Sequence, residues 1–207
     1  MTALTWVHFA LLVPAYLLGA VPTSFLVARW ARGVDLRQVG SKNLGATNLF
    51  RLLGWKAAIP VAAFDVAKGA APVLTCLALV PEPAWWGLVV GAAAVLGHVF
   101  SPFVSFRGGK GVATAAGVFL AYLPGALGAA AVVWIGLVAA TGYVSLGSVT
   151  AAVAFPFLVR LLYPSRLTAF WVTGCLAVFV IFNHRANIRR LLRGTEARFR
   201  RGRPATP

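Results

Sequence analysis

A chain of 207 residues that is 60% hydrophobic and only 11% charged lies far from the roughly 25% charged balance of soluble domains. It nonetheless carries a net charge of +15, from 19 Lys and Arg against 4 Asp and Glu. A soluble nucleic-acid binder would not pair such basicity with so apolar a bulk, whereas a membrane protein with cationic edges would. The expected fold class is therefore an all-α integral membrane protein. One polytopic domain is expected over residues 1–199, followed by a basic, disordered tail at 200–207.

Residues 4–28 form the first predicted span, with Pro14 and Pro22 as kinks. No basic region precedes it and it is long enough to cross, so it reads as a retained helix rather than a signal peptide. Residues 29–56 carry Arg29, Arg32, Arg37, Lys42, Arg51 and Lys56 against the single acid Asp35. The positive-inside rule places this segment in the cytoplasm and the N-terminus outside. Residues 57–80 return outward, and the turn Pro81-Glu82-Pro83 contains an acid but no Lys or Arg. Residues 84–106 come back in.

The twelve residues 112–123 span roughly 18 Å as a helix, against a hydrocarbon core of about 30 Å. Pro124-Gly125 breaks the run before 126–141. Two further spans are predicted at 144–163 and 167–183. The tail then carries eight arginines, at 185, 189, 190, 193, 198, 200, 201 and 203. A single kinked pass through 112–141 would put them outside, while two short passes keep them in the cytoplasm. About seven transmembrane segments are thus predicted, two of them short (within 112–141), with the C-terminus cytoplasmic. Of the basic residues only Arg160 and Arg166 then lie outside, and Lys68 lies within the membrane.

The inner-face segments hold the chemistry. Gly40-Ser41-Lys42-Asn43-Leu44-Gly45-Ala46-Thr47-Asn48 gathers hydroxyl, amide and backbone donors from Ser41, Asn43, Thr47 and Asn48, and Arg51 follows. Such a loop could cradle a phosphate with a bidentate contact from Arg51, or be a turn into a capped helix. Asp65 and Lys68 share a helix face about 12 Å into the second span, where charges pair or line a polar cavity. Phe106-Arg107-Gly108-Gly109-Lys110-Gly111 places two cations among three glycines at a membrane edge. That composition suits a phosphate or a stop signal. It is not a P-loop, which needs Gly where Val104 stands and Ser or Thr where Gly111 stands. His98 just before it reads as a hydrogen-bonded structural residue. Tyr143, Ser145 and Ser148 form another polar cluster on the inner side.

His184 and Asn187, three apart, can point into one cavity where the last span ends. Ile188, Leu191 and Leu192 fit a short helix lying in the interface, whose arginines complement the helix dipole and bind anionic lipid. Cys76 and Cys175 fall in apolar runs, and the three histidines show no metal-ligand spacing, so neither disulfide nor metal is expected. No G-x-S-x-G, S-x-x-K or H-x-x-x-x-D pattern occurs, which argues against a covalent acyl-enzyme.

Four stretches in register carry a resemblance: G-S-K-N-L-G-A-T-N with Arg51; F-D-V-A-K-G; G-H-V-F-S-P-F running into R-G-G-K-G-V-A-T; and H-R-A-N-I-R-R-L-L-R-G-T-E. Together they resemble the bacterial acyl-phosphate:glycerol-3-phosphate acyltransferase family. The resemblance implies a seven-helix enzyme of the bacterial inner membrane, active on its cytoplasmic face and needing no cofactor. It would move a fatty acyl group from acyl phosphate to the 1-hydroxyl of glycerol 3-phosphate, giving lysophosphatidic acid and phosphate. Its partners would be those substrates, anionic membrane lipids and an upstream enzyme that makes acyl phosphate, with no nucleic acid.

The resemblance puts Ser41 and Arg51 in a first motif, Lys110 with Gly108, Gly109 and Gly111 in a second, and His184 with Asn187 in a third. Ser41, Lys110, His184 and Asn187 are the expected catalytic residues; Arg51, Asn43, Thr47, Asn48, Arg107, the three glycines and Ser145 are expected to bind substrate. Two positions depart from the family, which commonly has Gly at Lys42 and a basic residue at Asn183. A rival reading, a carrier or channel for phosphorylated anions, needs cations spread through the bilayer, and here only Lys68 lies deep.

Overall fold

The computed structural model describes residues 5–199, all helix, turn and loop. The expected tail at 200–207 lies outside the described residues. These divide into two compact units, one running to Tyr122 and one starting at Leu123.

In the first unit the opening span is broken twice: α1 is Trp6–Ala10, α2 is Leu12–Ala20 and α3 is Thr23–Arg32. Pro14 sits in the first turn of α2, where its missing N–H has no intrahelical acceptor to lose. Pro22 separates α2 from α3, and at the break the Val21 carbonyl accepts from the Thr23 N–H at 3.0 Å rather than from a donor one helical turn on. In lipid such groups must be satisfied from within the protein. One side chain of α5, the Trp55–Leu79 helix, does this, and a second holds the neighbouring Thr23 hydroxyl. Lys68 Nζ donates to the Val21 carbonyl at 2.8 Å, and Thr23 Oγ1 donates to Asp65 Oδ1 at 3.0 Å. The two charges also pair with each other at 2.7 Å, each residue 2% exposed. The cation thus meets the carbonyl end of one half-helix and the anion meets the start of the next, the orientation that both helix dipoles favour.

The third span begins with α6, Trp86–Val99. It ends seven residues short of the predicted 106, because Pro102 disfavours helix in the residue before it and offers no N–H of its own. A single 3-10 turn, Pro102–Val104, follows. The amphipathic α4, Ala46–Leu53, precedes α5, and α7, Val112–Tyr122, closes the unit.

Close helix contact rests on reciprocal glycine pairs, each glycine lying three residues after the carbonyl that its partner meets. A methyl on Gly19 would collide with the Ala94 carbonyl and one on Gly97 with that of Tyr16, which brings α2 onto α6. Gly69 against Thr114 and Gly117 against Val66 do the same for α5 and α7. Small residues let membrane helices approach where no hydrophobic driving force separates helix from lipid. Exposed Trp6 and Trp85 mark one end of the unit and exposed Trp30 and Trp55 the other, as interfacial tryptophans do. The first end is interlocked: His8 Nε2 lies 3.1 Å from the Glu82 carbonyl, and Trp86 Nε1 donates to the His8 carbonyl at 2.9 Å.

The second unit holds α8 (Pro124–Thr141), α9 (Val144–Leu162), α10 (Leu167–Asn183) and α11 (Arg185–Leu192). Pro124 begins α8, so α7 and α8 are separate helices, as the short pair requires. α9 packs against α8, α10 and α11. Among the described residues, Trp6–Arg32, α5, Trp86–Val104, α8 and α9 are each long and apolar enough to cross a membrane. α10 and α11 pass that test as one pair bent by 59°, and α7 is a shorter apolar helix. Five of the seven predicted segments thus pass outright, the last passes only with α11, and the 112–123 segment is the short helix α7.

Candidate functional site

The loop between α3 and α4 is built around one amide. Asn48, buried in α4, surrounds its Nδ2 with the carbonyls of Leu36 (3.2 Å), Val39 (3.1 Å) and Asn43 (3.1 Å). Its Oδ1 accepts from the Ser41 N–H at 2.9 Å. Gly40 adopts φ +59°, and a methyl there would strike Asn48 Oδ1. Asn48, expected among the substrate ligands, is thus committed to shaping the loop that presents Ser41 and Asn43, both half-buried. Thr47 and Arg51, four apart on α4, share a face and are also half-buried.

Lys42 is exposed at φ +56°, a left-handed conformation that explains why glycine suits this position. Asp35 and Arg37 pair at 2.8 Å, and the Arg37 guanidinium holds the Asp35 carboxyl below its usual range. Arg37 also stacks on Phe25 and donates to the Val104 carbonyl at 3.4 Å.

That last bond ties the loop to the second motif. Val104 packs in one apolar cluster with Leu36, Leu44 and Leu49, so segments 36–49 and 102–111 are brought together. The chain turns tightly through Ser105 and Phe106, both left-handed. Gly108 then donates its N–H to the Val99 carbonyl at 2.9 Å and Gly109 to the His98 carbonyl at 3.1 Å. These two amides, expected to cradle a phosphate, are spent on fixing the segment to the end of α6. Arg107 is exposed and Lys110 half-buried.

In the second unit His184 stands at the break between α10 and α11, buried, with Nδ1 2.7 Å from the Val180 carbonyl. The neutral tautomer that makes this bond carries its proton on Nδ1 and leaves Nε2 as the acceptor. One turn on, Asn187 Nδ2 donates to Glu196 Oε1 at 2.6 Å, and Ser145 Oγ donates to the same oxygen at 2.7 Å. Arg190 Nε reaches Oε2 at 2.6 Å. The segment continues with Arg198 Nε donating to the Tyr143 hydroxyl at 3.1 Å and the Phe199 N–H donating to the Gly142 carbonyl.

Burial pushes the Glu196 carboxyl up, but the hydrogen bonds from Asn187, Ser145 and Arg190 outweigh it and hold the group below its ordinary value. Glu196 carries no spacing that marks it as functional in the sequence. Its signal was its isolation, one acid in a tail of arginines. The structure therefore gathers Ser145 and Asn187 around Glu196, and in the other unit Ser41, Asn43 and Asn48 around one loop.

Residues 9–194 match the family model described as Glycerol-3-phosphate acyltransferase. The chain belongs to that family. The glycerol-3-phosphate acyltransferase of Geobacter sulfurreducens is 48% identical over 187 residues, covering 90% of this chain and 94% of its own length. That of Myxococcus xanthus is 42% identical over 195 residues, with coverage of 92% and 98%. The crystal structure of PlsY (YgiH), an integral membrane glycerol 3-phosphate acyltransferase in its glycerol 3-phosphate form, is 38% identical with a TM-score of 0.88, covering 94% of this chain and 96% of that one. The same enzyme in its lysophosphatidic acid form gives 36% and 0.85, with coverage of 93% and 95%. This family member is accordingly an all-helical, multi-pass membrane acyltransferase. The match reaches both units, and Glu196 lies just beyond its end.

Proposed function

We propose that this acyltransferase moves a fatty acyl group from acyl phosphate to the 1-hydroxyl of glycerol 3-phosphate, releasing lysophosphatidic acid and phosphate without an acyl-enzyme. The observation that carries the reading is chemical: within this family membership, the polar motifs offer cations, hydroxyls and amides but no recognisable acyl-enzyme nucleophile. Acyl phosphate is a mixed anhydride that already holds its leaving group. The protein has only to hold two phosphates against their repulsion and bring the hydroxyl to the carbonyl carbon. Positioning alone can lower such a barrier by about 7–11 kcal/mol.

Arg51 and Lys110 bind phosphate oxygens, with Arg107, Asn43 and Thr47 in support and Ser41 donating a hydrogen bond. His184 orients glycerol 3-phosphate or takes its hydroxyl proton at Nε2, and Asn187, held by Glu196, supplies a further donor. Gly108, Gly109 and Asn48 contribute shape, because their donors are spent within the fold. Residues 1–199 work as one domain in the bacterial inner membrane, with the N-terminus outside, the three motifs and the C-terminus cytoplasmic, and the basic surface meeting anionic lipid. The donor comes from an enzyme that makes acyl phosphate. Lys68, the cation that an anion path would need at depth, is committed to Asp65 and Val21, which weighs against a carrier.

The test is synthetic acyl phosphate and radiolabelled glycerol 3-phosphate with the purified chain in detergent, beside arms supplied with acyl-CoA or acyl carrier protein. Lysophosphatidic acid in the acyl phosphate arm alone is the expected result, and no product from folded protein sinks the reading. Lys110→Ala and Arg51→Ala should each remove most activity without loss of folding. An unaffected rate removes that residue from the site.

A further inference from the structure

We infer that His98 is a positioning residue for the second motif, setting the direction of Lys110 through the glycines on either side of it. This rests on the reading that Lys110 holds a substrate phosphate.

The glycines of the motif meet α6 in three different ways. Gly108 is bonded to the Val99 carbonyl, and a methyl on it would collide with the carbonyl of His98. Gly109 is bonded to that same His98 carbonyl, and a methyl on it would run into Nε2 of the imidazole, with Cδ2 at 2.9 Å and Cε1 at 3.1 Å. Gly111 has φ +82°, which favours glycine, and its added methyl would lie 2.9 Å from Val95 Cγ1. The backbone before and after Lys110 is therefore seated on the last turns of α6, and the imidazole edge is the surface on which Gly109 rests.

The ring is itself held in place. His98 is 8% exposed, and its Nδ1 lies 3.9 Å from Asp65 Oδ1, beyond a hydrogen bond but within electrostatic reach. Asp65 is anchored in turn by Lys68 and Thr23. Lys68, Asp65, His98 and Gly109 thus form a line from the break in the first span to the motif. A flat, rigid ring lets the Gly109 backbone come into contact along its edge, whereas a flexible side chain would leave the loop free to shift. A shift of about an ångström in a binding group is enough to weaken a reaction severely.

The experiment is steady-state kinetics of the full chain in detergent with glycerol 3-phosphate varied, and thermal unfolding as the check on folding. His98→Ala should raise KM for glycerol 3-phosphate about tenfold and change kcat less. His98→Gln, whose amide reaches the position of Nε2 but on a flexible stem, should recover only part of the loss. Gly109→Ala should also raise KM. Joined to His98→Ala it should lose less than the product of the two single effects, because the methyl enters the vacated ring space. If His98→Ala does not fold, His98→Ser alone and with Gly109→Ala makes the same comparison.

An unchanged KM in folded His98→Ala, or effects that simply multiply, overturns the inference. Lys110→Ala separates the two ways of failing. A raised KM there beside an unchanged one in His98→Ala overturns the inference alone. An unchanged KM in Lys110→Ala overturns the phosphate reading of Lys110, and the inference with it.

Discussion

Asp65 and Glu196 are both buried carboxylates that accept hydrogen bonds from distant elements, yet they are built differently. Asp65 lies inside a span and carries its counter-charge on its own helix, three residues away in Lys68. Glu196 lies beyond α11 and draws on three side chains: Ser145 of α9, Asn187 of α11 and Arg190 of α11. The first closes a break in a transmembrane helix, where lipid offers no partner to a carbonyl that lacks its helical donor. The second clasps the chain end to the helices that carry expected site residues. A buried pair that loses one member keeps an uncompensated charge, while a clasp near the surface has water to fall back on.

That difference can be broken experimentally, beginning where the effect should be largest. Lys68→Ala strands the Asp65 charge and should cost about 3–5 kcal/mol of stability, seen as a large drop in the thermal unfolding temperature in detergent. Asp65→Asn with Lys68→Met should recover much of it, and equal instability of single and double variants would refute the pairing. Glu196→Gln removes one charge-assisted acceptor set and should cost about 1.5–3 kcal/mol. Activity should fall in the same variant because Asn187 loses its orientation, and full activity would separate the clasp from catalysis.

The clasp should also respond to acid. The folded Glu196 carboxyl lies below its ordinary value, so its stabilisation is fully present above the ordinary carboxylate pKa and is lost as pH falls through the lower folded one. Cleavage of the segment before Phe199 by pepsin, relative to an unstructured reference peptide at each pH, should accelerate as pH falls below the ordinary carboxylate range, and Glu196→Gln should lack that relative acceleration. The smallest expected effect belongs to the first motif. Lys42→Gly relieves a left-handed backbone worth about 1–2 kcal/mol but returns part of it as chain entropy, for a net gain under about 1 kcal/mol. A lowered unfolding temperature would show that Lys42 makes contacts outweighing its strain.

Much of this was legible in the chain itself. Asp65 and Lys68 were expected to pair because i, i+3 residues share a helix face, and local spacing is enough to show it. The ends of α5, α9 and α10 fall within two residues of the hydropathy boundaries, since apolarity and length together define a span. α6 was overestimated because hydropathy runs on through Pro102 while helix geometry does not. Ser145 and Asn187 read as free donors because their acceptor, Glu196, lies 51 and 9 residues away.

Sequence alone therefore determined the membrane class, the seven apolar segments, the family motifs and the concentration of cations in a few polar segments. These follow from composition, charge and short-range periodicity, which are local properties. Only the tertiary structure decided which polar groups are already spent: Asn48 on its own loop, the Gly108 and Gly109 amides on α6, and Ser145 with one amide N–H of Asn187 on Glu196. A donor looks available in a sequence until the fold brings its acceptor to it, and in lipid a buried donor without a partner is costly.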